Sequence, residues 1–77
     1  MLDEVIAALV DITGSNEVAE DPDVELFESG LLDSFATAEL IVELEQRTNI
    51  CIALTEFDRE SWSTPRKIAI FLEAKSR

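Results

Sequence analysis

Apolar residues recur at helical spacing in three stretches of the chain, and polar or acidic residues fill the positions between them. The stretches are residues 2–12, residues 34–48 and the residues from 65 onwards. Gly14 follows the first stretch, where a glycine commonly ends a helix. Pro65 opens the last stretch and suits the first turn of a helix. This periodicity predicts three main helices and an all-α fold.

The connections between these stretches predict less regular structure. Residues 15–30 are expected to form a long connection, because Pro22 breaks any helix there. Residues 50–54 alternate between apolar and small side chains, which favours a short extended segment. Residues 55–62 begin with a sequence that resembles a capping box and predict one short helix. Together these elements predict a single domain, residues 1–77, built as a small helical bundle.

Charge is distributed unevenly along the 77 residues. The chain has 6 basic and 17 acidic residues, a net charge of −11, and all the basic residues lie from Arg47 onwards. Such a surface repels nucleic acid and anionic lipid headgroups. It favours partners with basic docking sites, although solubility alone also explains it.

The residue inventory excludes several kinds of chemistry. The chain has no histidine and a single cysteine, so it lacks a Ser-His-Asp triad, a zinc site of thiolates or imidazoles, and an internal disulfide. Asp21, Asp23 and Glu25 alternate like calcium ligands, but Leu26 stands where the loop needs glycine. No apolar run approaches the ~20 residues of a membrane span, and the first residues do not resemble a signal peptide. We therefore expect a cytoplasmic protein that binds no metal and inserts into no membrane.

Residues 30–35, Gly-Leu-Leu-Asp-Ser-Phe, contain the strongest local signal. Asp33 is a good N-cap for the second helix, and Ser34 follows it directly. Free backbone N–H groups and the positive end of the helix dipole favour a phosphate at such a position. The same residues could also do no more than cap a helix, and the local pattern leaves both interpretations open.

The second predicted helix has two apolar faces. The face expected to enter the core comprises Thr37, Leu40, Ile41, Leu44 and Thr48. The opposite face carries an apolar stripe, Phe35, Ala38 and Val42, flanked by acidic residues that include Glu39 and Glu43. Because one apolar face is enough to pack a small helix, the stripe predicts a docking surface for partner proteins. The alternative is that the long connection covers Phe35.

Residues 30–35 resemble the phosphopantetheine attachment motif of acyl and peptidyl carrier proteins. Residues 26–35 and 54–65 also resemble the corresponding parts of D-alanyl carrier proteins, and the likeness extends over nearly the whole chain. This resemblance implies an acyl-carrier-like bundle that catalyses no reaction itself. It also implies that Ser34 carries covalent 4′-phosphopantetheine, with Asp33 as the adjacent motif residue.

The resemblance further implies three protein partners. A phosphopantetheinyl transferase would attach the arm to Ser34 from coenzyme A, and a D-alanine–carrier protein ligase would load D-alanine on the arm's thiol as a thioester. A membrane-bound O-acyltransferase would then use the D-alanine to modify teichoic acids in the cell wall. The carrier itself is expected to be a monomer.

Four positions depart from the pattern of these carriers, and none is Asp33 or Ser34. Ala36 replaces a glycine, Ala38 replaces a valine, and Thr48 and Ala53 replace a phenylalanine and a proline. The smaller Ala38 makes the exposed stripe shallower.

Two other functions stay open at this point. One is a carrier for fatty acid or polyketide synthesis, and the other is an unmodified acidic module that binds a basic partner.

Overall fold

The computed structural model of the chain describes residues 1–53, 55 and 57–76. Within these residues the α-helices are α1 (Leu2–Thr13), α2 (Glu17–Glu20), α3 (Ser34–Thr48) and α4 (Pro65–Lys75). The described residues contain no β-strand. The predicted all-α fold of three main helices and one short helix is therefore confirmed.

The short helix α2 lies in the stretch expected to be a plain connection, and it buries Val18. Of the short helix predicted at residues 55–62, Glu56 lies outside the described residues. Residues 59–62 form turns, in which the Asp58 carboxylate accepts hydrogen bonds from the Glu60 N–H and the Ser61 hydroxyl, both at 3.2 Å. Such local bonds compete with a continuing helix.

The extended segment predicted at residues 50–54 is only partly covered by the structure. Residues 50–53 belong to neither helix nor strand, and Leu54 lies outside the described residues. The Glu45 carboxylate on α3 accepts the Ile52 N–H at 2.7 Å. This bond ties the segment back to α3.

The helix ends follow the local chemistry of the sequence. Gly14 ends α1 in the left-handed conformation, φ 69°, and donates its N–H to the Val10 carbonyl at 2.9 Å. Asn49 ends α3 in the same way, with φ 59°, a conformation that asparagine tolerates better than most residues. At the start of α4, the Thr64 hydroxyl caps the N–H of Lys67 at 3.1 Å.

The core lies between α1 and the two long helices that pack against it, α3 and α4. The expected core face of α3 is confirmed, with Thr37, Leu40, Ile41 and Leu44 buried and Thr48 half-buried. Trp62 is fully buried, and Phe57 is half-buried at the edge of the core. Other buried apolar side chains come from α1, α2 and α4, from the loop before α3 and from the segment after it: Val5, Ala8, Leu9, Val18, Leu26, Leu32, Ile52, Ile68, Ala69 and Leu72.

The loop before α3 is fastened to the start of α4. The N–H of the buried Leu26 donates to the Ser63 carbonyl at 2.8 Å, and the Arg66 N–H donates to the Pro22 carbonyl at 3.0 Å. A further bond from the Leu32 N–H to the Leu26 carbonyl, also 3.0 Å, closes the loop on itself. These bonds fix the point at which the chain enters α3.

We expect Leu44→Ala to lower the free energy of unfolding by about 2–5 kcal/mol, because it removes buried methyl groups and leaves a cavity in the core. Val42→Ala, two residues away on the exposed face, is the matched control and should change stability by less than about 0.5 kcal/mol. Urea unfolding followed by circular dichroism measures both. Equal losses for the two variants would contradict the assignment of the two faces.

Candidate functional site

Ser34 is the first residue of α3, and its side chain is exposed to solvent. Asp33 precedes it in an extended conformation and caps the helix, because its Oδ1 accepts the Ala36 N–H at 2.8 Å. The Asp33 carbonyl also accepts the Thr37 N–H at 2.9 Å and the Thr37 hydroxyl at 2.7 Å. The serine hydroxyl is therefore presented at a fixed position at the positive end of a helix.

The turn before Asp33 depends on Gly30. Its φ of +81° lies in the left-handed region, which side chains other than glycine rarely adopt, and its N–H donates to the Phe27 carbonyl at 3.2 Å. A Cβ at this position would meet no atom within 4 Å, so the backbone angle and not crowding favours glycine. Past the turn, Leu32 enters the core and Asp33 reaches the surface.

A cavity of about 520 Å³ lies beside Ser34. Its walls are mainly apolar, and four polar or charged side chains, Asp33, Ser34, Thr37 and Arg59, lie among its lining residues. The other described residues that line it are Phe27, Leu32, Ala38, Ile41 and Phe57. The residues come from the loop before α3, from α3 itself and from the segment before α4.

The predicted apolar stripe on α3 is exposed. Phe35 is 76% exposed and Val42 is 53% exposed, so the loop does not cover Phe35 and that alternative is wrong. Ala38 and Val42 line a groove of about 410 Å³, together with Glu39, Glu43 and Gln46. The structure thus brings together four of the five residues predicted for docking, and Phe35 lies on the first turn of the same helix.

Glu43 is already paired within the molecule. Its carboxylate lies 3.0 Å from Nε of Arg47, whose guanidinium also bonds to Asp11 on α1. The hydrogen bond with Glu43 raises the pKa of Arg47 above its ordinary value, and Asp11 adds to the effect. The negative charge of Glu43 is therefore partly neutralised at the edge of the groove.

Two residues of the cavity, Phe57 and Arg59, have no local signal in the sequence that connects them to Ser34. Both are more than twenty residues from Ser34 along the chain, and no spacing rule connects them to it. Only the fold of the segment before α4 brings them to the site.

The calcium-like pattern has a structural explanation. The Asp21 Oδ1 accepts the Asp23 N–H at 3.0 Å in a local turn, and Asp23 pairs with Arg66 at 2.9 Å. Among the described residues, no group of three His, Cys, Asp or Glu side chains is arranged to hold a metal ion. None of the helices in the described ranges is long and apolar enough to cross a membrane.

Comparison with known proteins agrees with this geometry. Residues 3–72 match the family model described as "Phosphopantetheine attachment site". Since the match covers most of the chain, this helical bundle is a domain of the class that receives phosphopantetheine.

Individual relatives define the family more closely. The chain is 49% identical over 70 residues to the D-alanyl carrier protein of Enterococcus faecalis, which covers 91% of this chain and 90% of the relative. It is 48% identical over 65 residues to the D-alanyl carrier protein of Bacillus subtilis, which covers 84% of this chain and 83% of the relative. It is 42% identical over 71 residues to the D-alanyl carrier protein of Staphylococcus saprophyticus, which covers 92% of this chain and 91% of the relative. The chain therefore belongs to the D-alanyl carrier protein family.

We expect Asp33→Ala to cost about 1 kcal/mol of stability, because the N–H of Ala36 loses its cap. Asp33→Asn keeps an oxygen at the same place and should cost less. Thermal unfolding of both variants beside the wild type tests this. A loss as large for the asparagine variant as for alanine would show that the charge, and not the cap, stabilises the helix start.

Proposed function

We propose that Ser34 carries 4′-phosphopantetheine and that the chain delivers D-alanine on this arm for the D-alanylation of teichoic acids. The observation that supports this most directly is the exposed Ser34 hydroxyl at the start of α3, in a member of the D-alanyl carrier family. The arm supplies a thiol that holds D-alanine as a thioester. We place this carrier on the cytoplasmic side of the membrane.

The residues around Ser34 fit such an arm. A phosphodiester on Ser34 would lie at a helix N-terminus, where it is stabilised by the dipole. The neighbouring cavity has room and apolar walls for the hydrocarbon part of pantetheine, and Arg59 supplies a positive charge among its lining residues. The site therefore suits both the charged phosphodiester and the apolar hydrocarbon part of the arm.

Partner enzymes are proposed to carry out every chemical step. Ser34 needs a base to become a nucleophile, and the sequence contains no histidine to supply one. Because the hydroxyl is exposed, a transferase can reach it and provide that base. The chain itself then has to present Ser34 to the partner enzymes and to be recognised by them.

Recognition is proposed to use the stripe Phe35, Ala38 and Val42, with Glu39 and Glu43 beside it. The support for this is a large exposed apolar area within one helix, next to Ser34, on a protein of net charge −11. Apolar contacts supply affinity, while the acidic surroundings steer a basic partner toward the helix. The transferase, the D-alanine ligase and the membrane-bound O-acyltransferase would each meet this surface.

Incubation with a phosphopantetheinyl transferase and coenzyme A should add one arm to the wild type and none to Ser34→Ala, as read by intact mass. Ser29→Ala removes another exposed serine five residues earlier and should still accept the arm. If the Ser34→Ala variant still gained the arm, the attachment site would be a residue other than Ser34. A wild type that gains no mass would favour the unmodified interaction module.

The modified protein should then accept D-alanine from the D-alanine ligase. Loading of a fatty acyl group by an acyl ligase, without loading of D-alanine, would favour a carrier for fatty acid or polyketide synthesis.

We expect Val42→Asp to fold with nearly unchanged stability, within about 0.5 kcal/mol, and to slow D-alanine loading by the ligase. The reason is that a charge at this position disrupts the apolar stripe without entering the core. Ile70→Asp is a matched control, because Ile70 on α4 is 59% exposed and lies off the stripe. Normal loading of Val42→Asp, or equal slowing by Ile70→Asp, would place the docking surface elsewhere.

A further inference from the structure

Arg59 is held over an aromatic ring at the cavity beside Ser34. Its guanidinium carbon lies 4.8 Å from the centroid of the Phe27 ring, within the range of a cation–π contact. Arg59, Phe27 and Ser34 all line the same cavity. The arginine is therefore placed toward the attachment site and not only toward solvent.

The ring beneath Arg59 belongs to a chain of aromatic contacts that reaches the core. Phe27 meets Phe57 edge-on with centroids 6.1 Å apart, and Phe57 meets Trp62 at 5.7 Å. Trp62 is fully buried. Arg59 thus rests on a surface that the core holds in place, which reduces the freedom it must lose to bind a ligand.

Three other basic side chains are placed elsewhere. Arg47 pairs with Asp11 and Glu43, Arg66 pairs with Asp23, and Lys67 lines a separate groove beside α4. Of the described residues that line the cavity, Arg59 alone is basic. A phosphodiester on Ser34 would add a negative charge next to Asp33, and Arg59 is the cation placed to offset it.

We propose that Arg59 is a positioning residue for the prosthetic arm: its guanidinium binds the arm's phosphodiester at the cavity mouth and directs the pantetheine chain into the cavity. The guanidinium offers several donors in one plane, which matches a phosphate better than a single ammonium does. The apolar dimethyl segment of pantetheine then packs against Phe27 and Phe57. This inference rests on the proposed attachment of the arm to Ser34.

The test compares protein carrying the arm as wild type, Arg59→Gln, Arg59→Lys and Lys67→Gln. The last variant removes one positive charge from an exposed side chain outside the cavity, so it controls for net charge. Intact mass first establishes that each sample carries one arm. Circular dichroism and Trp62 fluorescence then check the fold, which the loss of an exposed arginine side chain should leave unchanged.

The measurement is NMR of the arm itself. In the wild type and in Lys67→Gln, the two methyl groups of pantetheine should show ring-current shifts and cross-relaxation with phenylalanine ring protons, which free 4′-phosphopantetheine lacks. Arg59→Gln should lower the ratio of docked to free arm about tenfold, since it removes charge-assisted hydrogen bonds, and should move the phosphorus resonance. The ratio of docked to free arm in Arg59→Lys should lie between the ratios of the wild type and Arg59→Gln.

Three results would overturn the inference while leaving the proposed function intact. The first is a wild-type arm whose methyl signals match free 4′-phosphopantetheine, and the second is an Arg59→Gln spectrum identical to that of the wild type. The third is an equal loss of docked arm in Lys67→Gln and Arg59→Gln, because the effect would then follow net charge. A wild type that gains no arm would instead overturn the proposed function, and this inference with it.

Discussion

The position of Ser34 depends on the attachment of the preceding loop to the start of α4. Leu26 contributes to this attachment in two ways: its side chain is buried in the core, and its N–H donates to the Ser63 carbonyl. The bond from Leu32 to Leu26 then closes the loop, and Gly30 turns the chain so that Asp33 can cap α3. Without these contacts a helix could still form at residues 34–48, but its first turn would have no fixed place beside Phe27 and Phe57.

Once α3 is placed, its two faces serve different purposes. One face supplies Leu40, Ile41 and Leu44 to the core, and the other leaves Phe35 and Val42 in solvent. Exposed apolar side chains gain little from folding, so the fold itself does not require them. Arg47 adds a link between the helices, since it bonds to Asp11 on α1 as well as to Glu43.

The sequence predicts the long helices well, because each has a repeated apolar face and a recognisable cap. The sequence does not predict the position of the short helix α2. A single turn that buries only Val18 has no period to detect, and the capping pattern at residues 55–58 leads into turns held by Asp58. For the site, the local signal identifies Asp33 and Ser34, whereas the cavity depends on residues brought together by tertiary packing. Arg59 and Phe57 are two of the residues that only tertiary packing brings to the cavity.

Ala38 lies between two concave surfaces of α3. Its side chain lines both the cavity beside Ser34 and the groove along Val42. A protein seated in the groove would press on a wall of the cavity, and a filled cavity would alter the floor of the groove. If the arm lies in the cavity and a partner in the groove, as proposed, the volume of this one side chain affects both how tightly the partner binds and how much room the arm has.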